Sequence, residues 1–165
     1  MNRTITDLLD AWVGRMNIEG GAGAFSLNAQ GMAALEIDKG IVINFQAHSS
    51  PPLLVLFALV APLPQPYHQR NALAEELLEQ NLLWLGTNGA TFSLQRSADG
   101  TTADVVLAQS ITVHQGTAWT ELQRVFDNIC LVALDWKTRL ESAPLEPLCS
   151  PGQSELPSGY SLPLA

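Results

Sequence analysis

The sequence has few cysteines and few positively charged residues, and each shortage excludes a class of protein. Its 165 residues include only two cysteines, Cys130 and Cys149, which are too few for a disulfide framework and are typical of a reducing compartment. Eight Lys and Arg stand against 16 Asp and Glu, for a net charge of -8. Because such a chain repels phosphate groups, we expect neither nucleic acid nor an anionic membrane surface as a partner.

Long apolar segments are also lacking. Residues 1–12 are amphipathic and contain no continuous apolar core, so we do not expect a secretory signal. The longest apolar run, residues 53–61, is nine residues long and is flanked by prolines, whereas a helix that spans a bilayer needs about 20 apolar residues. Together with the cysteine content, this predicts a cytoplasmic protein that has no membrane partner.

The motifs of common catalytic and metal sites are missing as well. The sequence contains no nucleophile elbow, phosphate-binding loop or zinc-protease motif. No two of the three histidines, His48, His68 and His114, have the spacing of metal ligands. The glycine-rich residues 20–23 follow a predicted helix rather than a strand, which favours a flexible connection. Cys130 lies among apolar residues, as a buried thiol does. We therefore expect no enzyme activity, no metal and no cofactor.

Apolar residues, in contrast, are abundant. They make up 47% of the sequence while charged residues make up 15%, and the mean hydropathy is +0.13. A small protein has much surface to cover with polar groups, so this surplus of apolar side chains suggests a dimer or a surface that binds an apolar partner.

The spacing of apolar residues predicts three helices and five strands in the order α-β-β-β-α-β-β-α, an α+β fold with an antiparallel twisted sheet. Thr4 and Asp7 form an approximate capping box before the first helix. The strand at residues 53–60 is apolar at nearly every position, so it is buried on both faces or covered by helices on one face and a partner on the other. Strands are predicted at residues 32–37, 41–48, 53–60, 90–95 and 104–113, and helices at residues 5–16, 68–85 and 117–140.

The end of the chain differs in composition from the rest. Residues 142–165 contain five of the ten prolines, several serines and no periodic apolar pattern. We therefore predict one domain over residues 1–141, followed by a Pro- and Ser-rich tail over residues 142–165 that is flexible or folds only against a partner.

The second helix has more apolar residues than packing against one sheet requires. The polar residues Glu75, Glu76, Glu79 and Gln80 confine its solvated side to a narrow strip. We expect the helix to pack against its own sheet on one flank and against a second copy of the chain on another. Gly86 is expected to end it as a C-terminal cap. Its apolar residues are Leu73, Leu77, Leu78, Leu82, Trp84 and Leu85.

Two segments carry a resemblance to a known family. Residues 77–95, LLEQNLLWLGTNGATFSLQ, closely resemble the helix-to-strand segment of the type III secretion chaperones of the Tir-chaperone (CesT-like) family, whose recurrent pattern is LL..NL......GA.L.L. The segments FSLNAQGMAALEID and GIVINF resemble the first hairpin of that family, L.FD..G...L.ID....L.L. Asn28 stands where the family often has Asp, and either residue suits such a turn. The order of elements also matches, over residues 4–141.

The resemblance implies a small, acidic, cytoplasmic bacterial homodimer that binds the N-terminal region of a secreted effector. Such a chaperone keeps its client soluble and ready for export, without hydrolysing ATP itself, and the secretion ATPase is a further implied partner. The client would be an extended chain that adds a strand to a sheet edge and places short helices in apolar grooves. The alternative is a dimeric adaptor or regulatory scaffold that binds a folded protein.

The resemblance also implies two sets of contact residues. The dimer interface would comprise Leu77, Leu78, Asn81, Leu82, Trp84 and Phe92. The client-binding patches, from the first helix and first hairpin, would comprise Leu8, Leu9, Trp12, Met16, Leu35, Ile37, Ile43 and Phe45. Spacing alone leaves open whether Trp12 and Met16 belong to the core or to a client groove, because large aromatic and Met side chains suit both. Alternation shows which side chains share a face, but not which face meets the client.

Overall fold

The computed structural model describes residues 4–18, 21–98 and 100–142, which form a five-stranded sheet and the helices packed on it. The long helices and the strands follow one another in the predicted order, and the α+β fold class is confirmed. The helices are α1 (Ile5–Met16), the single turn α2 (Gly21–Ala24), α3 (Tyr67–Asn81) and α4 (Trp119–Ser142). The strands are β1 (Met32–Glu36), β2 (Val42–Ser49), β3 (Pro52–Pro62), β4 (Thr91–Arg96) and β5 (Ala103–Thr112).

The sheet has the strand order β1-β2-β3-β5-β4, and each strand runs antiparallel to its neighbours. β3 is the central strand, and its pairing with β5 shifts by one residue between Leu59 and Ala61. A short 3₁₀ turn, Asp38–Gly40, joins β1 to β2, where the sequence predicted a hairpin turn. Gly40 has a φ of +67° there, which glycine adopts without steric cost.

An aromatic cluster holds the helices against the sheet. The Trp12 ring of α1 lies 5.6 Å from the Phe45 ring of β2 and 5.0 Å from the Phe126 ring of α4, measured between centroids. Phe25 completes the cluster at 5.8 Å from Trp12. The indole Nε1 of Trp12 donates a hydrogen bond of 2.7 Å to Oε1 of Gln123, which satisfies the one polar atom that burial of the ring would otherwise leave unpaired. α1, α4 and β2 are therefore fixed to each other by one side chain.

The start of α1 has the predicted capping box. The backbone N–H of Asp7 donates to Oγ1 of Thr4 at 3.1 Å, and the N–H of Thr4 donates to Oδ2 of Asp7 at 2.8 Å. The helix ends at Met16, and Asn17 follows in the left-handed conformation. The connection that follows contains the helical turn α2, where the sequence predicted only irregular structure.

The central helix ends earlier than predicted. α3 stops at Asn81, and the next residues form a 3₁₀ turn, Leu82–Trp84. The prediction of a helix to residue 85 with Gly86 as its cap was wrong, because the backbone of Leu82 is extended, with a ψ of 114°. The side chain of Asn81, just before this break, bonds the backbone of β4. Gly86 follows the turn, and the end of the flexible Gln80 side chain fills the space that a Cβ atom would take at this position.

The predicted tail lies outside the described residues, apart from Ser142, which ends α4. The proposed boundary at residue 141 therefore stays a prediction.

Replacement of Trp12 tests its role in the core. We expect Trp12→Ala to lower the free energy of unfolding by about 3–5 kcal/mol, because it removes a fully buried ring and leaves a cavity. Met16→Ala on the same helix is the control, and because Met16 is 39% exposed its cost should stay below about 1 kcal/mol. Denaturant titration measures both. If Trp12→Ala costs no more than the control, Trp12 is not a core residue.

Candidate functional site

The sheet has an apolar face that none of the described helices covers. Leu54, Leu56 and Ala58 of β3 point into the core and are fully buried, so the residues between them point to the opposite face. The register places Phe57 beside Ala108 and Leu59 beside Val106 of β5 on that opposite face. The all-apolar β3 is therefore covered by the described helices on one side only, and the predicted partner on its other side stays a prediction. We call this surface the open sheet face: Val42, Val55, Phe57, Leu59 and Ala108. Val106 lies on the same side of the sheet but is buried.

A second apolar surface lies where α3 leads towards β4. It consists of large side chains that are each more than half exposed. Single exposed apolar residues are common on protein surfaces, whereas five large ones within residues 78–85 make this segment a candidate interface. We call it the leucine–tryptophan patch: Leu78, Leu82, Leu83, Trp84 and Leu85.

The backbone of this patch is strained. Leu83 and Trp84 both have a φ of +53°, in the left-handed region that costs a bulky residue about 1–2 kcal/mol. Neither side chain is buried in return, because they are 75% and 57% exposed. Strain without burial in the single chain is typical of a segment that is shaped for contact with another molecule.

Asn81 joins α3 to the edge strand β4. Its Nδ2 donates to the C=O of Phe92 at 2.9 Å, and its Oδ1 accepts from the N–H of Phe92 at 2.8 Å. Both groups of Phe92 point away from β5, because the N–H of Ser97 donates to Thr102 of the same hairpin and bonding alternates along an antiparallel strand. The Asn81 carboxamide therefore takes the place of a neighbouring strand at this residue.

Asn28 has the same role at the opposite edge of the sheet. Its backbone N–H donates to the C=O of Met32 at 2.8 Å, and its Oδ1 accepts from the N–H of Met32 at 2.9 Å. Oδ1 also accepts from the N–H of Gln30 at 3.0 Å, so Asn28 serves in the turn as expected. The backbone groups of Ala34 and Glu36 also point away from β2, and we call this stretch the open edge of β1.

The structure divides the eight predicted client-binding residues into two groups. Met16 is exposed, and Leu35 and Ile37 are half-buried at the edge of the core. The other residues are at most 3% exposed, so another chain cannot reach them in this conformation: Leu8, Leu9, Trp12, Ile43 and Phe45. Spacing alone left open whether Trp12 and Met16 belong to the core or to a client groove. In the structure Trp12 lies in the core and Met16 lies at the surface.

The predicted dimer residues are also divided. Leu78, Leu82 and Trp84 belong to the leucine–tryptophan patch, while Leu77 and Phe92 are buried. The Phe92 ring lies 4.8 Å from the Trp136 ring, and Asn81 bonds the backbone of β4 as described above.

The sequence reasoning did not name Leu83, and it named Leu85 only as an apolar residue of the helix and not as a dimer residue, because it assumed a continuous helix. It also assigned no site residue to the open sheet face, although the uninterrupted apolar run of β3 was a usable signal for that surface.

Chemistry other than binding has little support in the described residues. No group of His, Cys, Asp and Glu within residues 4–18, 21–98 and 100–142 could hold a metal ion. Burial, together with the charge of Asp127, raises the pKa of the Cys130 thiol to about 12, so this thiol is protonated near neutral pH and is a poor nucleophile. Among the helices that the structure describes, none is long and apolar enough to cross a membrane.

One known protein family matches the sequence. The sequence model of the Tir chaperone protein (CesT) family matches residues 14–137 of the chain, which include most of α4 and all five strands. The chain belongs to this family. Among curated proteins, no sequence matches the chain significantly.

Solved structures share the fold of this CesT-family protein. A chain of the HopA1–SchA chaperone–effector complex aligns with a TM-score of 0.60 at 18% identity, over 79% of this chain and 91% of that one. A chain of the ExsC–ExsE complex gives 0.62 at 19% identity, over 90% and 100%. The Yersinia pestis type III secretion chaperone SycH, in complex with a fragment of YscM2, gives 0.58 at 19%, over 81% and 99%. The predicted resemblance to type III secretion chaperones is confirmed.

The role of Asn81 can be tested by a substitution that replaces only its side-chain NH₂ group. Asn81→Asp keeps an acceptor for the N–H of Phe92 but places a second oxygen against the C=O of Phe92. We expect this change to lower the free energy of unfolding by about 1–3 kcal/mol and to speed amide hydrogen exchange in β4. Asn71→Asp, at an exposed position of the same helix, is the control. Equal effects of the two changes would contradict the assigned role.

Proposed function

We propose that this CesT-family protein is a cytoplasmic bacterial type III secretion chaperone that binds the N-terminal segment of a secreted effector as a homodimer. It keeps that segment soluble and ready for export without hydrolysing ATP, in agreement with a sequence that contains no phosphate-binding loop. The observation that carries the proposal is the open sheet face, an apolar surface that the described helices leave uncovered in a member of a chaperone family.

The leucine–tryptophan patch is the proposed dimer contact. Its residues are exposed in the single chain, and full burial of one leucine side chain is worth about 1.5–3 kcal/mol. Two copies can bury the same patch against each other about a twofold axis, as most homodimers do. Contact with the partner would also offset the cost of holding Leu83 and Trp84 in the left-handed conformation.

The open edge of β1 and the open sheet face are the proposed client surfaces. An added strand needs backbone groups that point outward, and Ala34 and Glu36 supply them. At the other edge of the sheet, Asn81 occupies the backbone groups of Phe92, and the patch lies close by. Leu35 and Ile37 are half-buried at the β1 edge, so side chains of an added strand can contact them. Apolar side chains elsewhere in the client would pack on Phe57 and Leu59.

This mode of binding explains how a client could stay ready for export. A segment that is unfolded before it binds loses conformational entropy when it is ordered on the chaperone, which offsets much of the favourable contact energy. The segment is therefore held over a large area without being folded into a stable structure of its own.

A charge in the leucine–tryptophan patch tests the dimer. We expect the wild-type protein to have twice the chain mass of 17.8 kDa in light scattering. Leu78→Asp should weaken association by at least about 100-fold, because it places an unpaired carboxylate in each copy of a buried contact. Leu131→Asp on α4 is a matched control, since both leucines are 69% exposed. A wild-type monomer, or equal effects of the two changes, would exclude this interface.

Polar substitutions on the open sheet face test client binding. The double variant Val42→Ser/Leu59→Ser changes two exposed side chains and should lose most of its capture of a co-expressed secreted effector from the same bacterium, while it remains a dimer. Leu131→Ser is the control. Limited proteolysis of the wild-type complex should trim the client to an N-terminal fragment. A client that stays intact and folded would instead support the adaptor alternative, and undiminished capture by the double variant would exclude this face.

A further inference from the structure

A bond between two buried polar residues joins α4 to the loop before β4. Asn128 of α4 is 8% exposed, and Thr87 of the loop is fully buried. Nδ2 of Asn128 donates to the C=O of Thr87 at 2.9 Å. The other buried residues of α4 are all apolar, so Asn128 is an exception on the face that this helix packs against the core. The contacts of Asn128 explain why a polar side chain occupies this position.

The Asn128 carboxamide is bonded to two parts of the fold at once. Besides Thr87, Nδ2 donates to Oε1 of Gln109 on β5 at 2.9 Å, and the C=O of Asn88 lies 3.4 Å away. Because Thr87 is fully buried, its C=O is shielded from water and depends on this donor, and a buried C=O without a donor destabilises the fold. The loop is therefore held against α4 and β5 by one side chain.

The same loop is bonded to the leucine–tryptophan patch. The C=O of Trp84 accepts from the N–H of Thr87 at 3.3 Å and from the N–H of Asn88 at 2.8 Å. Asn128 binds Thr87, and Thr87 binds Trp84, so a continuous series of hydrogen bonds runs from the core-facing side of α4 to the patch. The side chain that begins this series is buried, whereas Trp84 is exposed.

A second asparagine holds the other end of the patch. Asn81 bonds the backbone of Phe92 on β4, as described above. Residues 82–86 lie between the two bonded ends, Asn81 and Thr87, and they include every member of the patch except Leu78. The exposed segment is therefore short, and side-chain carboxamides fix the backbone at both of its ends.

The strained backbone of this segment depends on the bonds at its ends. Leu83 and Trp84 are left-handed and exposed, so their side chains contribute little packing that could hold this conformation. A strained conformation persists only where the surrounding structure fixes it. The bonds of Asn81 and Asn128 fix the backbone on either side, and without one of them the strained residues are free to relax.

We propose that Asn128 is a positioning residue for the dimer contact. It does not touch the second copy, but by holding Thr87 it keeps the leucine–tryptophan patch in the shape that the second copy binds. This role rests on the proposed function, in which the patch is the dimer interface. A fall in the population of that shape to about one tenth raises the apparent dissociation constant about tenfold for each of the two chains.

Amide hydrogen exchange tests the hold of Asn128 on the loop. The background is the full-length Leu78→Asp chain, which is expected to be monomeric, so that exchange reports on a single chain. Asn128→Leu removes the donor but keeps a side chain of similar size, and we expect it to speed exchange of the Thr87 and Asn88 amides by at least about tenfold relative to the amides of β3, which report on global unfolding. Equal changes in the loop and in β3 would overturn the proposal.

Dimer affinity tests the consequence for the interface. In the otherwise wild-type chain, Asn128→Leu should raise the dissociation constant at least about tenfold, measured by light scattering over a dilution series at a temperature at which the variants remain folded. Val125→Ala is the control, because Val125 is a buried apolar residue of the same helix and its truncation lowers stability without removing a bond to the loop. It should leave the dissociation constant nearly unchanged. Equal weakening by the two changes would show a loss of stability alone and would overturn the positioning role.

The two measurements distinguish failure of the positioning role from failure of the proposed dimer. A wild-type monomer would exclude the dimer interface, and with it the role of Asn128 there, whatever the exchange rates. A wild-type dimer in which Asn128→Leu leaves exchange at Thr87 and Asn88 unchanged would overturn the positioning role alone. Asn128→Ser, which has a smaller side chain, is measured in both experiments with the same expected direction, so the result does not depend on the folding of one variant.

Discussion

The structure depends on one constraint: the central strand β3 has two apolar faces, but the described helices cover only one of them. β3 is apolar on both faces, as a strand in the middle of a fully covered sheet would be, yet the described helices pack on one face only. The covered face forms the core with Leu54, Leu56 and Ala58, and the other face retains Phe57 and Leu59. Burial of one face stabilises the fold, and the residues that remain exposed are those on which the proposed function depends. One strand therefore belongs to both the core and the candidate site.

The arrangement of elements could be predicted from the sequence because it depends on local patterns. Alternation and the capping box of Thr4 and Asp7 each act over a few positions, and the structure retains both. Which apolar face belongs to the core could not be predicted in the same way. A helix face that packs on its own sheet and one that binds a client have the same spacing, so Leu8, Leu9 and Trp12 were compatible with both until the contacts of Trp12 with Phe45 and Phe126 were known.

The end of α3 shows a second limit of sequence reasoning. Residues 77–85 favour a helix by their composition, but Asn81 bonds the backbone of Phe92, which lies in another element. Such a bond depends on where β4 lies in the fold, and local helix propensity carries no information about that. The sequence pattern therefore predicted a helix end that is too late in the chain. The error concerns the candidate site, since the segment after the helix exposes Leu83, which the sequence analysis did not name, and Leu85, which it placed in the helix. Tertiary contacts, rather than local preference, thus determine the shape of the candidate dimer surface.

The two asparagines at the sheet edges, Asn28 and Asn81, also affect the tendency of the protein to aggregate. An unprotected edge can template endless pairing between identical chains, and fibril formation typically requires an available segment of six or seven residues. Asn28 and Asn81 each satisfy both backbone groups of one edge residue, which shortens the available stretch at either side of the sheet. The negative charge of Glu36 on β1 further disfavours stacking of copies. The two asparagines therefore reduce the length of edge that is available for pairing between identical chains.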